Sequence, residues 1–309
     1  MSKKVLNFEN YKLITEGGAA IKSARGIRQD EFIKTLDHIK QFLFPLLEIS
    51  QREEDEEFIS IGSLGKKKSE SETSGDLDIG YDALAFSQRH SIPLNACSSE
   101  VYRILSENLV GTLGYEVEIK HMPGFKIVSV AWPIEGDQSK GLVQVDLIPI
   151  SSMDWARFIY YSPDYRSDES KYKSAHRNWL LSAILSARIN ILERDKEGEV
   201  LDYDSPVLIL SDGLFWHKKS YKGILKPRLK HSKKIEGSER FITNNPQEFI
   251  DFTLGPGYSQ EDIKTFEDLF SIITGPDFDL KEKLPEIKQR YIDYMERVKL
   301  PIPSELNSI

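Results

Sequence analysis

The chain has 309 residues, 39% of them hydrophobic and 29% charged, with a net charge of −8. This is the composition of a globular protein of one large or two ordinary domains, and no apolar run approaches the roughly 18–20 residues that a membrane helix needs. The single cysteine, Cys97, excludes an internal disulfide and fits a reducing cytoplasm, one cysteine with six scattered histidines makes no structural zinc site, and the acidic balance excludes a surface coated in nucleic acid while leaving room for a local basic patch.

Residues 1–28 show little periodicity and no signal-peptide apolar region, and they read as a loop-rich arm packed on the core. Lys22 and Arg25 have a lid as their alternative role. Residues 29–50 open on Gln29-Asp30-Glu31. They carry Phe32, Ile33, Leu36, Ile39, Phe42, Leu43, Leu46 and Leu47, the 3.6-residue stripe of an amphipathic helix. The acidic run 53–57 reads as a solvated loop.

Phe58, Ile59 and Ile61 start a strand that runs into Gly62-Ser63. A polar loop containing Lys66, Lys67 and Lys68 follows and ends in Gly75-Asp76-Leu77-Asp78-Ile79. Side chains alternate faces along a strand. Asp76 and Asp78 are therefore expected on one face, with Leu77 and Ile79 in the core. Two such carboxylates repel, and a hard divalent cation is their natural partner. Gly62-Ser63 offers a tight turn whose backbone N–H groups and hydroxyl can meet a phosphate. Asp82 shares the acidic face further along and reads as structural.

Ser98-Ser99-Glu100 reads as the cap of a helix through Val101, Ile104, Leu105, Leu109 and Val110, closed near Gly111 or Gly114. Tyr115–Lys120, Phe125–Trp132 and Gly141–Ile150 read as strands of an antiparallel meander. In the last of these, Asp146 is a lone acid in an otherwise apolar run. A buried charge there needs a partner or a metal.

Helical patterns dominate from about residue 154, with a domain division expected at 151–165, giving domains 1–160 and 161–309. Ser167-Asp168-Glu169-Ser170 is expected to open a helix running through Tyr172, Trp179, Leu180, Ile184, Leu185, Ile189 and Ile191 and ending before Gly198. Pro206–Leu210 and Leu214–Lys218, around Ser211-Asp212-Gly213, read as a β-hairpin. Residues 217–234 hold eight basic residues and no acid: Lys218, Lys219, Lys222, Lys226, Arg228, Lys230, Lys233 and Lys234. Beside Phe215, Trp216 and Tyr221, they are either an RNA-backbone surface with aromatic stacking or a solvated charged face. Three helical patterns fill 246–298, separated by Gly255-Pro256-Gly257 and Gly275-Pro276. The histidines 176, 217 and 231 read as structural or phosphate-adjacent. The fold class expected is α+β, a mixed sheet flanked by helices and followed by a mainly helical C-terminal domain.

Gly62-Ser63, then Gly75-Asp76-Leu77-Asp78-Ile79, then Asp146 on a later strand resembles the nucleotidyltransferase superfamily typified by DNA polymerase beta, over about residues 30–150. The resemblance implies a two-metal, NTP-dependent nucleotidyltransferase using Mg²⁺ or Mn²⁺. Asp76 and Asp78 would hold both ions. Asp146 would bind the catalytic ion and help to take the acceptor's proton. Gly62 and Ser63 would hold the β- and γ-phosphates. Relatives often place a basic side chain where Lys171 and Lys173 stand, and Lys66 and Lys67 offer a second route to the triphosphate from the loop. Lys173 and Arg177 are expected to share a helical face.

The sequence departs from the family pattern in its long lysine-rich segment after Ser63, where a helix starting at the Gly-Ser is expected. The residues after 165 match no subfamily pattern, so the acceptor stays open. An RNA 3′ end is the first expectation; a protein, a small molecule or another nucleotide is the second. A non-catalytic binding module is the third, and the presence of all three acids weighs against it.

Overall fold

A computed structural model describes residues 20–51, 57–123, 126–188, 207–210, 213–221 and 234–309. The chain divides into two compact units, Met1–Lys171 and Tyr172–Ile309. Residues 161–171 go with the first unit because they fold back on its lysine loop. The Tyr165 N–H donates to the Lys66 carbonyl at 2.9 Å, and Lys66 Nζ donates to the Ser162 carbonyl at 2.8 Å.

The first unit opens with β1 (Ile27–Arg28) and α1 (Gln29–Leu46). Glu31 anchors the start of α1: its carboxylate accepts from the Arg28 N–H and pairs with the Arg25 guanidinium at 2.7 Å. There follow β2 (Phe58–Ile61), β3 (Thr73–Ser74), β4 (Asp76–Asp82), α2 (Ala83–Arg89), α3 (Cys97–Leu113), β5 (Ile119–Met122), β6 (Ile127–Pro133), β7 (Leu142–Ile150) and α4 (Met153–Ile159). β1 pairs antiparallel with β3, while the main sheet has the order β2-β4-β7-β6-β5. Its one parallel pair is β4 with β7, and the rest is antiparallel. The meander over β5, β6 and β7 is as the turn residues predict.

The alternation of side chains builds a two-faced sheet. Leu77, Ile79 and Tyr81 of β4 share one face with Val128, Val130 and Trp132 of β6 and Val143, Val145 and Leu147 of β7. On this face they meet Phe32, Ile39, Leu43 and Phe44 of α1 and Val101, Leu105 and Leu109 of α3. Burying this set from water is the dominant stabilising term, at about 25 cal/mol per Å² of apolar surface. The other face carries the even-numbered residues of β4 and β7. At one end, Ile148 and Ile150 pack with Ile61, Ile127 and Ala156 under α4. The other end is polar and acidic.

Two local readings are corrected, and the closure of α3 is as expected. Ser98-Ser99-Glu100 does not cap α3; the helix continues at Cys97 out of a short 3-10 turn, Leu94–Ala96, and Ser98 is already inside it. Gly114, with φ 79°, closes α3 in the left-handed conformation that glycine adopts without strain. The helix expected from Ser167 starts only at Ser174. Asp168 adopts a left-handed φ of 56°, which ends the 3-10 turn Tyr165–Ser167, and the Glu169 carboxylate turns back to accept from the Asp164 N–H.

The second unit contains α5 (Ser174–Arg188), β8 (Val207–Leu210), β9 (Gly213–Tyr221), β10 (Lys234–Thr243), α6 (Pro246–Leu254), α7 (Phe266–Thr274) and α8 (Leu284–Val298). α5 is its centre and packs against α6, α7 and α8. Leu180, Leu181, Ile184 and Leu185 of α5 are fully buried, as are Phe249, Leu269 and Tyr291 on the surrounding helices. The expected hairpin is present as β8 and β9, with Leu210 opposite Gly213. A third strand, β10, extends it to a three-stranded antiparallel sheet. The sequence reading assigned that stretch to no element, since Lys234–Glu239 carries no alternating apolar pattern. Among the described residues, no helix is long and apolar enough to cross a membrane.

Candidate metal centre

Strand register assembles the acidic end of the sheet. β4 and β7 run parallel, with Asp76 opposite Gln144 and Asp78 opposite Asp146. β6 runs antiparallel on the far side of β7 and sets Ser129 opposite Asp146. Because residues two apart on a strand share a face, these side chains form two short rows: Asp78, Asp146, Ser129 and Asp76, Gln144, Ala131. Asp76, Asp78 and Asp146 thereby each offer one carboxylate oxygen, all within 4.8 Å of one another.

The cluster is costly without a cation. Asp146 is buried, while Asp76 and Asp78 are half-buried. Burial pushes the Asp78 carboxyl well above the usual carboxylate range, and the negative charges of Asp76 and Asp146 push it further. Burial also raises Asp146, against the opposing pull of Ser129 and Gln144. The Ser129 hydroxyl favours the Asp146 carboxylate without making a hydrogen bond to it. Gln144 makes the better contact: its Nε2 lies 3.0 Å from both carboxylate oxygens of Asp146. Neither neighbour is a cation. Asp146 is therefore oriented by neutral groups, and the set offers three hard oxygen donors, the chemistry that suits Mg²⁺ or Mn²⁺.

Gly62 and Ser63 leave the sheet at the same end. Ile61 is the last paired residue of β2 and lies opposite Asp78, so the turn follows beside the point where Asp76 enters β4. Gly62 has a φ of 88°, and a side chain added there would meet open space. The helix of the family pattern does not follow. Instead the chain makes a turn, with the Lys66 N–H donating to the Ser63 carbonyl and the Gly65 N–H to Gln29 Oε1 at 2.5 Å.

The predicted basic residues are placed differently from one another. Lys66 is half-buried over the Tyr161 ring with its ammonium on the Ser162 carbonyl, and burial lowers its pKa. Lys67 donates to the Thr73 carbonyl at 2.5 Å, and Lys68 pairs with Asp168. These lysines thus brace the loop against its neighbours. Lys171 is exposed at the end of the first unit. Lys173 is exposed just before α5 in the second, where its carbonyl accepts from the His176 N–H. Arg177 does not share a charged face with Lys173: it is 1% exposed and donates to the Lys264 carbonyl and to Asn178. Lys218 and Lys219 lie in β9. Lys222, Lys226, Arg228, Lys230 and Lys233, with His231, fall outside the described residues, as do residues 52–56 of the acidic run.

Other expectations hold on structural grounds. Asp82 caps α2, accepting from the Leu84 and Ala85 N–H groups at 2.8 and 2.9 Å. His176 is buried, with Nδ1 2.6 Å from the Tyr291 hydroxyl. Arg25 is no lid: it is tied to Glu31 and to the Lys140 carbonyl. Gln144 was not expected at the site. Its only signal in the sequence is a polar residue two positions from Asp146 in an apolar strand.

No family model, no curated protein and no solved structure matches this chain. The functional reading therefore stands on the site.

Proposed function

We propose that the chain is a metal-dependent nucleotidyltransferase, which moves NMP from an NTP to an acceptor hydroxyl, with an RNA 3′ end as the favoured acceptor. The cluster of Asp76, Asp78 and Asp146 on one face of a mixed sheet carries this reading. Three carboxylate oxygens within 4.8 Å of one another fit a hard divalent ion, and the turn at Gly62-Ser63, which leaves the sheet at the same end, supports a phosphate role for its backbone N–H groups. A bound ion would neutralise charge on the attacking and leaving oxygens.

The chain's own residues do the rest. Asp76 and Asp78 would hold the cation from β4, and Asp146 would hold it from β7. Asp146 also stands ready to accept the proton of the acceptor hydroxyl. That oxygen attacks the α-phosphorus, the bond to the pyrophosphate oxygen breaks, and pyrophosphate leaves. Backbone N–H groups at Gly62-Ser63 face the departing phosphates. Such a transfer needs positioning and charge stabilisation rather than covalent catalysis.

The test is a panel of the four labelled NTPs with total RNA and a protein extract, under Mg²⁺ and under Mn²⁺, read by gel and mass spectrometry. Label in RNA supports the favoured acceptor. Label in protein or in a small molecule keeps the chemistry and changes the acceptor. Asp76→Ala is expected to abolish incorporation into any of them. Transfer by that variant at the wild-type rate refutes the reading.

A further inference from the structure

We propose that Gln144 is a positioning residue, which ties the metal-binding carboxylate of Asp146 to the backbone of residues 20 and 21. The inference rests on the metal-site reading above and adds to it a residue that the acidic motif does not contain.

Gln144 is 2% exposed and uses both ends of its amide. Its Oε1 accepts from the Ala20 N–H at 3.0 Å and from the Ile21 N–H at 2.9 Å. Its Nε2 lies 3.0 Å from Asp146 Oδ1 and 3.0 Å from Oδ2. A side-chain amide accepts only at oxygen and donates only at nitrogen. The two backbone donors therefore decide which end of the amide faces Asp146, and the amide decides how the carboxylate is turned.

The anchor is itself fixed. Ile21 is fully buried, and Lys120 donates to the Ala20 carbonyl. The Arg25 N–H donates to the Leu142 carbonyl at 2.8 Å, where Ala24 bridges to the start of β7 in parallel. Arg25 then pairs with Glu31 at the head of α1. The segment before β1 thus fills the slot beside β7 that β4 vacates ahead of Asp76.

The choice of a neutral donor matters. A lysine or arginine at position 144 would orient Asp146 equally well, but would neutralise it and compete with a cation. An amide orients the carboxylate and leaves its charge available. Packing alone does not call for glutamine either, since the same face of β7 is apolar two strand positions beyond Asp146, at Ile148 and Ile150. Partners that orient a ligand in this way are commonly worth about 10–100-fold in metal affinity.

Mn²⁺ binding to the full chain, followed by calorimetry and by electron paramagnetic resonance, tests this with Gln144→Met, which keeps the length and removes both polar ends. The variant is expected to bind Mn²⁺ about tenfold more weakly or worse, with transfer activity partly recovered at saturating Mn²⁺. A merely structural glutamine would not give that recovery. Wild-type affinity in the variant overturns the inference while leaving the metal site intact. Absence of Mn²⁺ binding by the wild-type protein overturns the metal-site reading and the inference together. Should Gln144→Met fail to fold, hydrogen exchange on the wild-type protein decides. Mn²⁺ is expected to slow exchange in the peptide containing Ala20 and Ile21, and unchanged exchange under saturating Mn²⁺ refutes the coupling.

Discussion

Replacing Asp78 by asparagine is expected to stabilise the metal-free protein and destabilise it relative to wild type once Mg²⁺ is present. The three carboxylates have oxygens within 4.8 Å of one another. At that distance two unit charges interact by about 3.5 kcal/mol at an effective dielectric constant of about 20. Asp78 faces two such neighbours, and burial together with Asp76 and Asp146 drives its carboxyl toward the protonated form. Proton uptake caps the repulsion, so the gain from Asp78→Asn is a fraction of the pairwise sum, about 1–3 kcal/mol. In a unit the size of Met1–Lys171 this raises the melting temperature by about 2–12 °C in EDTA. Mg²⁺ at a thousandfold excess over its Kd returns about 4.1 kcal/mol to the wild type and little to a variant short of one ligand. The order of stability therefore reverses. Thermal melts followed by circular dichroism, with EDTA and with Mg²⁺, give all four values. An asparagine variant less stable than wild type in EDTA would refute the reasoning, because the charge of Asp78 would then be serving the fold and not a ligand.

Gly80→Ala is expected to cost about 1–3 kcal/mol by overpacking, since its Cβ would lie 2.8 Å from Ile150 Cγ1 and 2.9 Å from Ile59 Cγ2; an unchanged urea midpoint contradicts this. Burial, with Lys173 next in effect, pushes the His176 pKa down to about 4 from 6.5. The unfolded chain therefore binds the extra proton more readily, and the stability present above about pH 6.5 is lost as the pH falls toward 4, up to about 3 kcal/mol in all. Urea midpoints between pH 4 and pH 7 check the slope, and a His176→Asn variant with the wild-type slope removes His176 as its cause. Neutralising Lys226, Arg228 and Lys230 is expected to weaken RNA binding and to flatten its dependence on salt by about 2 in log–log slope, if all three meet phosphates of a single strand; an unaltered slope assigns the basic run to a solvated face.

The acidic face was legible because it depends on the shortest-range rule a strand obeys. Asp76 and Asp78 are two apart, so they share a face wherever the strand goes, and Leu77 and Ile79 fix which face is buried. Asp146 stood out as a charge in an apolar run, and only a partner on a neighbouring strand could explain it. The Asp82 cap and the closure of α3 by Gly114 are equally local. What stayed hidden depends on contacts between residues distant in sequence. The backbone donors that hold Gln144 lie at Ala20 and Ile21, and no local pattern announces them. Lys66 reads as a free cation in a polar loop, yet it is half-buried against Ser162 and Tyr161. The helix expected from Ser167 is delayed to Ser174 because Glu169 bonds back to Asp164. Arg177 reads as a surface charge by its spacing from Lys173, and tertiary packing of α5 buries it instead.

The second face of the sheet carries two opposed solutions to the same problem. At one end Ile148 and Ile150 close over β2 and β6 and stabilise the fold in the ordinary way. A single strand repeat earlier, at Asp146 and Gln144, the same pleat holds a buried carboxylate next to two more. An apolar pair there would fit the alternation and would remove the repulsion, so the fold does not require the acids. Arg25 is engaged with Glu31 and Lys140 with Glu135, and the group set against Asp146 is a neutral amide. Repulsion of this kind among carboxylates, held in place by a rigid sheet with a neutral amide set against Asp146, is expected where an external cation completes the structure. On that argument, a variant that makes the metal-free protein more stable is also the one that loses the ligand.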